Sequence, residues 1–99
     1  MALPTLSPPL LVLASLADGP KHGYAMLEDI QRMSGAELGP GTLYGAITRL
    51  EQEGMIQPLQ QKERRQPYRL TPAGARELRR RLDVMQRFAA EGLRKLEAR

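Results

Sequence analysis

The sequence predicts a mainly α fold with a small β-hairpin, in the order helix, helix, helix, hairpin, long helix. Three observations carry this. Apolar residues recur at three- and four-residue steps in separate segments. Ser7-Pro8-Pro9, Gly39-Pro40 and Thr71-Pro72 are helix starts, and Asp18-Gly19-Pro20, Ser34-Gly35 and Gly54 are helix stops. Two short strand-like stretches flank the polar run Gln61-Lys62-Glu63-Arg64-Arg65-Gln66-Pro67.

The first helix should run from Pro8 to about Ala17, capped by Ser7. It is apolar nearly all round, so it must be buried on more than one side; in so small a domain, a second subunit is a candidate for one of them. The run from Leu10 to Ala17 resembles the apolar core of a signal peptide. No Lys or Arg precedes it, Pro8-Pro9 stands directly before it, and it falls far short of the ~20 residues that span a bilayer. A buried helix is the better reading, and neither a leader nor a membrane partner is expected.

His22-Gly23 opens the second helix, which continues to about Met33 with Met26, Leu27, Ile30 and Met33 inward. The third helix starts at Gly39-Pro40 and runs to Glu53, with Leu43, Ala46, Ile47 and Leu50 inward and Thr42, Tyr44, Gly45, Thr48, Arg49 and Gln52 outward. Met55 to Gln60 and Tyr68 to Leu70 read as the hairpin strands, with Pro58 marking an edge. The last helix, from about Pro72 to Glu97, would extend roughly 39 Å. Leu78, Leu82, Met85, Ala89, Gly92 and Leu96 alternate four- and three-residue steps along it, a coiled-coil-like seam that Phe88 and Leu93 widen. The opposite face carries Arg79, Arg80, Asp83, Arg87, Glu91 and Arg94 and reads as solvated, with intrahelical pairs such as Glu77–Arg81. Residues 1–71 and 72–99 are thus a compact part and a C-terminal helix of one structural unit, with no linker or repeat between them.

Charge and chemistry narrow the function. The net charge of +4 divides into −3 over residues 1–60 and +7 over residues 61–99. A basic second half suits a polyanion such as nucleic acid, or simply an arginine-rich solvated face. With no cysteine, one histidine, and no nucleophile triad, phosphate loop or metal-ligand set, neither an enzyme nor a metal or cofactor site is expected. The cysteine-free composition agrees with a reducing compartment, and a cytoplasmic location is expected.

Three short helices followed by a basic hairpin is winged helix-turn-helix order, in which the third helix enters the major groove of DNA and the hairpin reaches backbone or minor groove. Gly39-Pro40-Gly41-Thr42 offers free N–H groups and the positive end of the helix dipole to a phosphate. Thr42, Tyr44 and Thr48 can hydrogen-bond phosphates or base edges, Arg49 adds a charge, and Gly45 permits close approach. Lys62, Arg64 and Arg65 supply cations at the hairpin tip, and Lys21, His22 and Tyr24 stand at the start of the second helix.

His22-Gly23-Tyr24, Pro40-Gly41-Thr42-Leu43-Tyr44, Arg49-Leu50-Glu51-Gln52-Glu53-Gly54-Met55-Ile56 and Tyr68-Arg69-Leu70-Thr71-Pro72-Ala73-Gly74, in this order and spacing, resemble the PadR family of transcriptional regulators over about residues 6 to 96. The single C-terminal helix resembles the short branch of that family. The resemblance implies DNA contact by Tyr24, Thr42, Tyr44 and the basic wing tip. It also implies repression of an operator, often relieved by a small molecule, and dimerisation through the first and last helices. That places Leu6, Leu10 and Leu13 with Leu78, Leu82, Met85, Phe88, Ala89, Gly92, Leu93 and Leu96 at a homodimer interface. Two positions depart from the family pattern: Gly45 where Pro is common after the tyrosine, and Gly39 where Ser commonly caps the helix.

Several residues carry a second reading. His22 suits a phosphate contact or a turn and capping role. Tyr44 suits DNA or packing on the hairpin, and Tyr24 suits DNA or a core cap. Tyr68 reads as structural. Met85 and Phe88 suit helix packing in the dimer seam, or the lining of an effector pocket there. The alternative to a DNA-binding regulator is a winged-helix module for protein contact. Against it stands the third helix, whose outer face is small and polar where a protein hot spot favours large apolar anchors.

Overall fold

The computed structural model describes residues 6–99, so the first five residues of the predicted 1–71 unit lie outside it. The elements are α1 (Pro8–Ser15) with a 3-10 turn (Leu16–Asp18), β1 (Lys21–His22), α2 (Gly23–Ser34), α3 (Pro40–Gln52), β2 (Ile56–Pro58), β3 (Pro67–Leu70) and α4 (Pro72–Glu97). The mainly α architecture with a small sheet is as expected from sequence.

Helix punctuation follows the sequence closely. Ser7 Oγ accepts the Leu10 amide at 3.3 Å, His22 Nδ1 accepts the Ala25 amide at 3.3 Å, and Thr71 Oγ1 accepts the Gly74 amide at 3.0 Å. Each satisfies one N–H that has no partner inside its helix. Gly35 closes α2 at φ +77°, the left-handed conformation that a residue without Cβ adopts freely.

Helix α1 is the centre of the molecule. Leu10, Leu11, Val12, Leu13 and Leu16 are buried, and α2, α3 and α4 of the same chain all pack against it. Its all-round apolarity is therefore accounted for mainly by packing within the chain, where a second subunit had been a candidate for covering one side. Met26 and Ile30 of α2, Leu43, Ala46, Ile47 and Leu50 of α3, Ile56 of β2 and Leu78 of α4 complete the core. Met33, expected on the buried face of α2, is half exposed at the helix end.

The sheet has the order β1-β3-β2, antiparallel throughout. Strand β1 was not anticipated: two residues show no alternation, and Lys21 and His22 pair with Tyr68 and Pro67 only because the chain folds back there. Strand β2 is shorter than the Met55–Gln60 segment suggested, and lies at an edge as Pro58 indicated. Beyond Pro58 the Gln66 side-chain amide donates to the carbonyls of Leu59 (2.7 Å) and Pro67 (2.9 Å), a side-chain bridge across the hairpin where the regular ladder stops. A two-residue turn closes the tip, with paired backbone hydrogen bonds between Lys62 and Arg65 and with Glu63 and Arg64 at φ +48° and +67°.

Candidate nucleic-acid interface

Three elements converge around one open cavity of about 430 Å³: the start of α2, the outer face of α3 and the inner side of the wing. His22, Tyr24, Tyr44, Arg64 and Arg65, singled out from sequence, all border it, together with Gln61 and Gln66, which sequence reasoning did not single out. Loop glutamines carry no periodic or motif signal. The charged side chains on this lining, Arg64 and Arg65, are both cationic.

The α3 surface is built by helical periodicity. Leu43, Ala46, Ile47 and Leu50 are buried, which leaves Gly41, Thr42, Tyr44, Gly45, Thr48 and Arg49 exposed on the other side. Gly39 makes no side-chain cap, so the first turn of α3 keeps N–H groups free of side-chain partners. Atoms added as Cβ at Gly41 or Gly45 would meet nothing within 4 Å, so neither glycine is required by the packing of this chain. Arg49, the one basic residue of α3, forms an exposed ion pair with Glu53 at 3.2 Å.

Tyr44 is half exposed (49%), and its phenol lies against Gly23 at the start of α2, where an added Cβ would stand 2.9 Å from Cζ and closer still to the hydroxyl. The ring is thus supported by α2 while one side remains open. Tyr24 projects outward on α2. Tyr68 packs against the core, and burial is the main cause that raises its phenol above the ordinary value, with the charges of Glu51 and Tyr44 adding to it.

Lys21, expected among the DNA-contacting cations, is engaged within the chain: its ammonium donates to the Ser15 carbonyl at the end of α1, pairs with Asp18 and lies 3.9 Å from Asp29. Its side chain is largely buried, and the Asp18 carboxyl is held below its usual range chiefly by the hydrogen bond from Lys21. The ammonium fastens β1 to α1 and α2. Lys62 stands on the far side of the tip, beside Glu63.

The residues assigned from sequence to a dimer face divide in two. Leu13 (0% exposed) and Leu78 pack in the core of the chain, and Leu10 is buried with an edge in the wall of the groove described next. Leu6 is half-buried, while Leu82, Met85, Phe88, Ala89, Gly92, Leu93 and Leu96 are exposed on the length of α4 that extends past the core. An apolar groove of about 170 Å³ runs between α1, the end of α2 and α4, with Leu10, Leu11, Ala14, Met33, Leu82 and Met85 among its walls.

Among the described residues no helix is long and apolar enough to cross a membrane, and no cluster of three potential metal ligands occurs.

Comparison with known proteins gives a consistent answer. Residues 12–80 match the transcriptional regulator PadR-like family. The chain is 50% identical over 80 residues to an uncharacterized 37.1 kDa protein in transposon TN4556 of Streptomyces fradiae, and 40% identical over 67 residues to the transcriptional activator GvpE1 of Halobacterium salinarum. These matches take in 81% and 67% of this chain but only 23% and 34% of those proteins, so the chain spans about a quarter to a third of their length. Among solved structures it resembles a transcriptional regulator from Clostridium thermocellum (26% identity, TM-score 0.74, 88% of this chain and 89% of that one). It shares the fold of a PadR family transcription regulator from Clostridium difficile (23% identity, TM-score 0.76, 90% and 96% covered). The chain belongs to the PadR-like family of transcriptional regulators.

Proposed function

We propose that the chain is a homodimeric, sequence-specific DNA-binding regulator that acts by occupying an operator. The observation that carries this reading is the cavity shared by α2, α3 and the wing, whose charged lining is wholly cationic and which adjoins the small, polar outer face of α3. In this reading α3 enters the major groove, Thr42, Tyr44 and Thr48 reach phosphates or base edges, and Arg64, Arg65 and Lys62 bring the wing to the backbone. Arg49 exchanges its exposed pairing with Glu53 for DNA.

Dimerisation is supported by α4. From Leu82 onward the helix carries Met85, Phe88, Leu93 and Leu96 exposed along roughly 23 Å, with Phe88 at 79% exposure. Such a stripe is an association surface in water. The groove beside it, walled by Met33, Leu82 and Met85, is where a small apolar effector would act on the dimer. Operator occupancy over a promoter gives repression; the relative GvpE1 is named an activator, so the direction of the effect is read from a reporter.

Mobility shift of duplex from upstream of the chain's own gene, sedimentation of the free protein and a promoter reporter together test the reading. Expected are a dimer, a shifted duplex and a repressed reporter. Phe88→Glu yields monomers with much weaker binding. A monomeric wild type that leaves the duplex unshifted contradicts the proposal and favours a protein-contact module.

A further inference from the structure

His22 has two neighbours and one acceptor nitrogen for them. Nδ1 lies 3.3 Å from the Ala25 amide as the cap of α2, and Nε2 lies 3.1 Å from Arg65 Nη1 on the wing. A neutral imidazole has a single nitrogen lone pair to offer, while the amide and the guanidinium only donate. One of the two contacts is therefore not a hydrogen bond. The Ala25 amide is one of the first N–H groups of α2 and has no acceptor within the helix, which favours the tautomer that keeps the cap. Arg65, by contrast, is exposed and open to water. With Nδ1 accepting, Nε2 carries the proton, and two N–H donors face each other with no acceptor between them.

Backbone pairing sets this opposition. His22 stands in β1 opposite Pro67, and Arg65 is held at the tip turn by its paired backbone bonds to Lys62 (2.7 and 3.0 Å). Both side chains border the 430 Å³ cavity, with Tyr24, Tyr44 and Arg64 around them and no carboxylate on that lining; Glu63 lies on the opposite side of the pair. A single oxygen with two lone pairs can satisfy both donors, and the guanidinium charges of Arg64 and Arg65 on the open, carboxylate-free side favour an anionic one.

We infer that His22 Nε2–H and Arg65 Nη1–H form a two-armed site for one non-bridging phosphodiester oxygen of the DNA backbone. The inference rests on the DNA-binding reading above and refines it: β1 and the wing grip the same phosphate, and His22 binds backbone rather than reading bases. Strand β1, two residues long, serves to bring the single histidine to the wing.

The test uses the full chain and a duplex obtained by selection from random sequence. His22→Asn keeps a good helix cap and removes the Nε2 donor. It is expected to weaken binding about tenfold, as loss of a hydrogen bond to an ionised oxygen does, and to leave the salt slope nearly unchanged because the neutral imidazole carries no charge, whereas Arg65→Ala should lower that slope by about one. In an Arg65→Ala background the same change should cost less than about twofold, because the shared oxygen is already half released. A scan of methylphosphonate linkages needs no variant for its main readout: one neutralised linkage per half-site should weaken wild type about tenfold and Arg65→Ala hardly at all. Nitrogen NMR of the His22 ring and the Arg65 guanidinium separates the sources of phosphate. The duplex should shift both groups, and inorganic phosphate should do so only at far higher concentration.

The inference is overturned if His22→Asn binds as wild type does, if the two losses multiply in full, or if no single linkage matters. It is also overturned if inorganic phosphate saturates the pair while the duplex leaves it unshifted. A wild type that selects no duplex sinks the DNA-binding reading itself, an outcome distinct from all of these.

Discussion

The Tyr44 phenol rests on Gly23, so the exposed aromatic of α3 is positioned by the absence of a side chain on α2. A methyl group at Gly23 would overlap the Tyr44 hydroxyl and stand 3.4 Å from Leu43 Cδ2. In an ordinary helix Ala is favoured over Gly by about 1 kcal/mol, and here the order should invert. Gly23→Ala is expected to destabilise the fold by about 1–3 kcal/mol through overpacking and to weaken DNA binding by displacing Tyr44. In a Tyr44→Ala background the same change should be neutral or stabilising. Denaturant unfolding of the four proteins checks this.

Gly45 is the opposite case, since nothing in the chain occupies the space its Cβ would take. Gly45→Ala should raise stability by about 1 kcal/mol through helix propensity alone. If α3 lies against DNA at this point, the same methyl group should lower affinity by about tenfold or more, or about 1.4 kcal/mol. Stability rising while affinity falls, in paired unfolding and binding titrations, identifies the surface.

The wing tip holds Glu63 and Arg64 in the left-handed region, at φ +48° and +67°. Each costs roughly 1–2 kcal/mol relative to a relaxed backbone, and Asn tolerates the first turn position far better than Glu. Glu63→Asn should raise the unfolding midpoint by an amount equivalent to about 1 kcal/mol. It should also strengthen DNA binding about two- to fivefold at low salt, because a carboxylate leaves the cationic tip, with the gain fading as salt rises.

Glu77 in the first turns of α4 receives hydrogen bonds from Arg80 and Arg81, and these hold its carboxyl at about 2 against an ordinary 4.5. A carboxyl lowered on folding contributes stability above its unfolded value and loses that contribution as pH falls from about 4.5 towards about 2. Urea midpoints measured across this range should decline in wild type, and decline less steeply in Glu77→Gln. Equal slopes would show that the pairing does not favour the folded state.

Much of the fold was legible because helix ends carry local chemistry. Ser7, Gly35 and Thr71 each act at the helix end where their residue type suggests. What escaped the sequence depended on contacts distant in the chain. Strand β1 exists only through pairing with β3, forty-odd residues away, and that pairing is what brings His22 to Arg65. Lys21 looks in sequence like any basic residue near a binding helix; only the fold reveals the Ser15 carbonyl and the Asp18 and Asp29 carboxylates around its ammonium. The apolar girth of α1 signalled burial correctly but not by what, since a helix enclosed by its own chain and one enclosed by a partner have the same composition. Along α4 the seam was readable, but where it leaves the core was not: Leu78 is buried, and Leu82, one turn later, is half exposed.

Selection of bound duplex from random sequence, followed by salt titration of wild type, Tyr44→Ala and Arg64→Ala/Arg65→Ala, tests the central claim most directly. The account predicts enrichment of a pseudo-palindrome with half-sites about one helical turn apart, roughly 34–36 Å, and affinity that falls steeply with salt. Tyr44→Ala should lose about tenfold or more, and the double arginine variant should bind more weakly still, with a salt slope lower by about two per protomer. Failure to enrich any duplex, or variants that bind as wild type does, would contradict it.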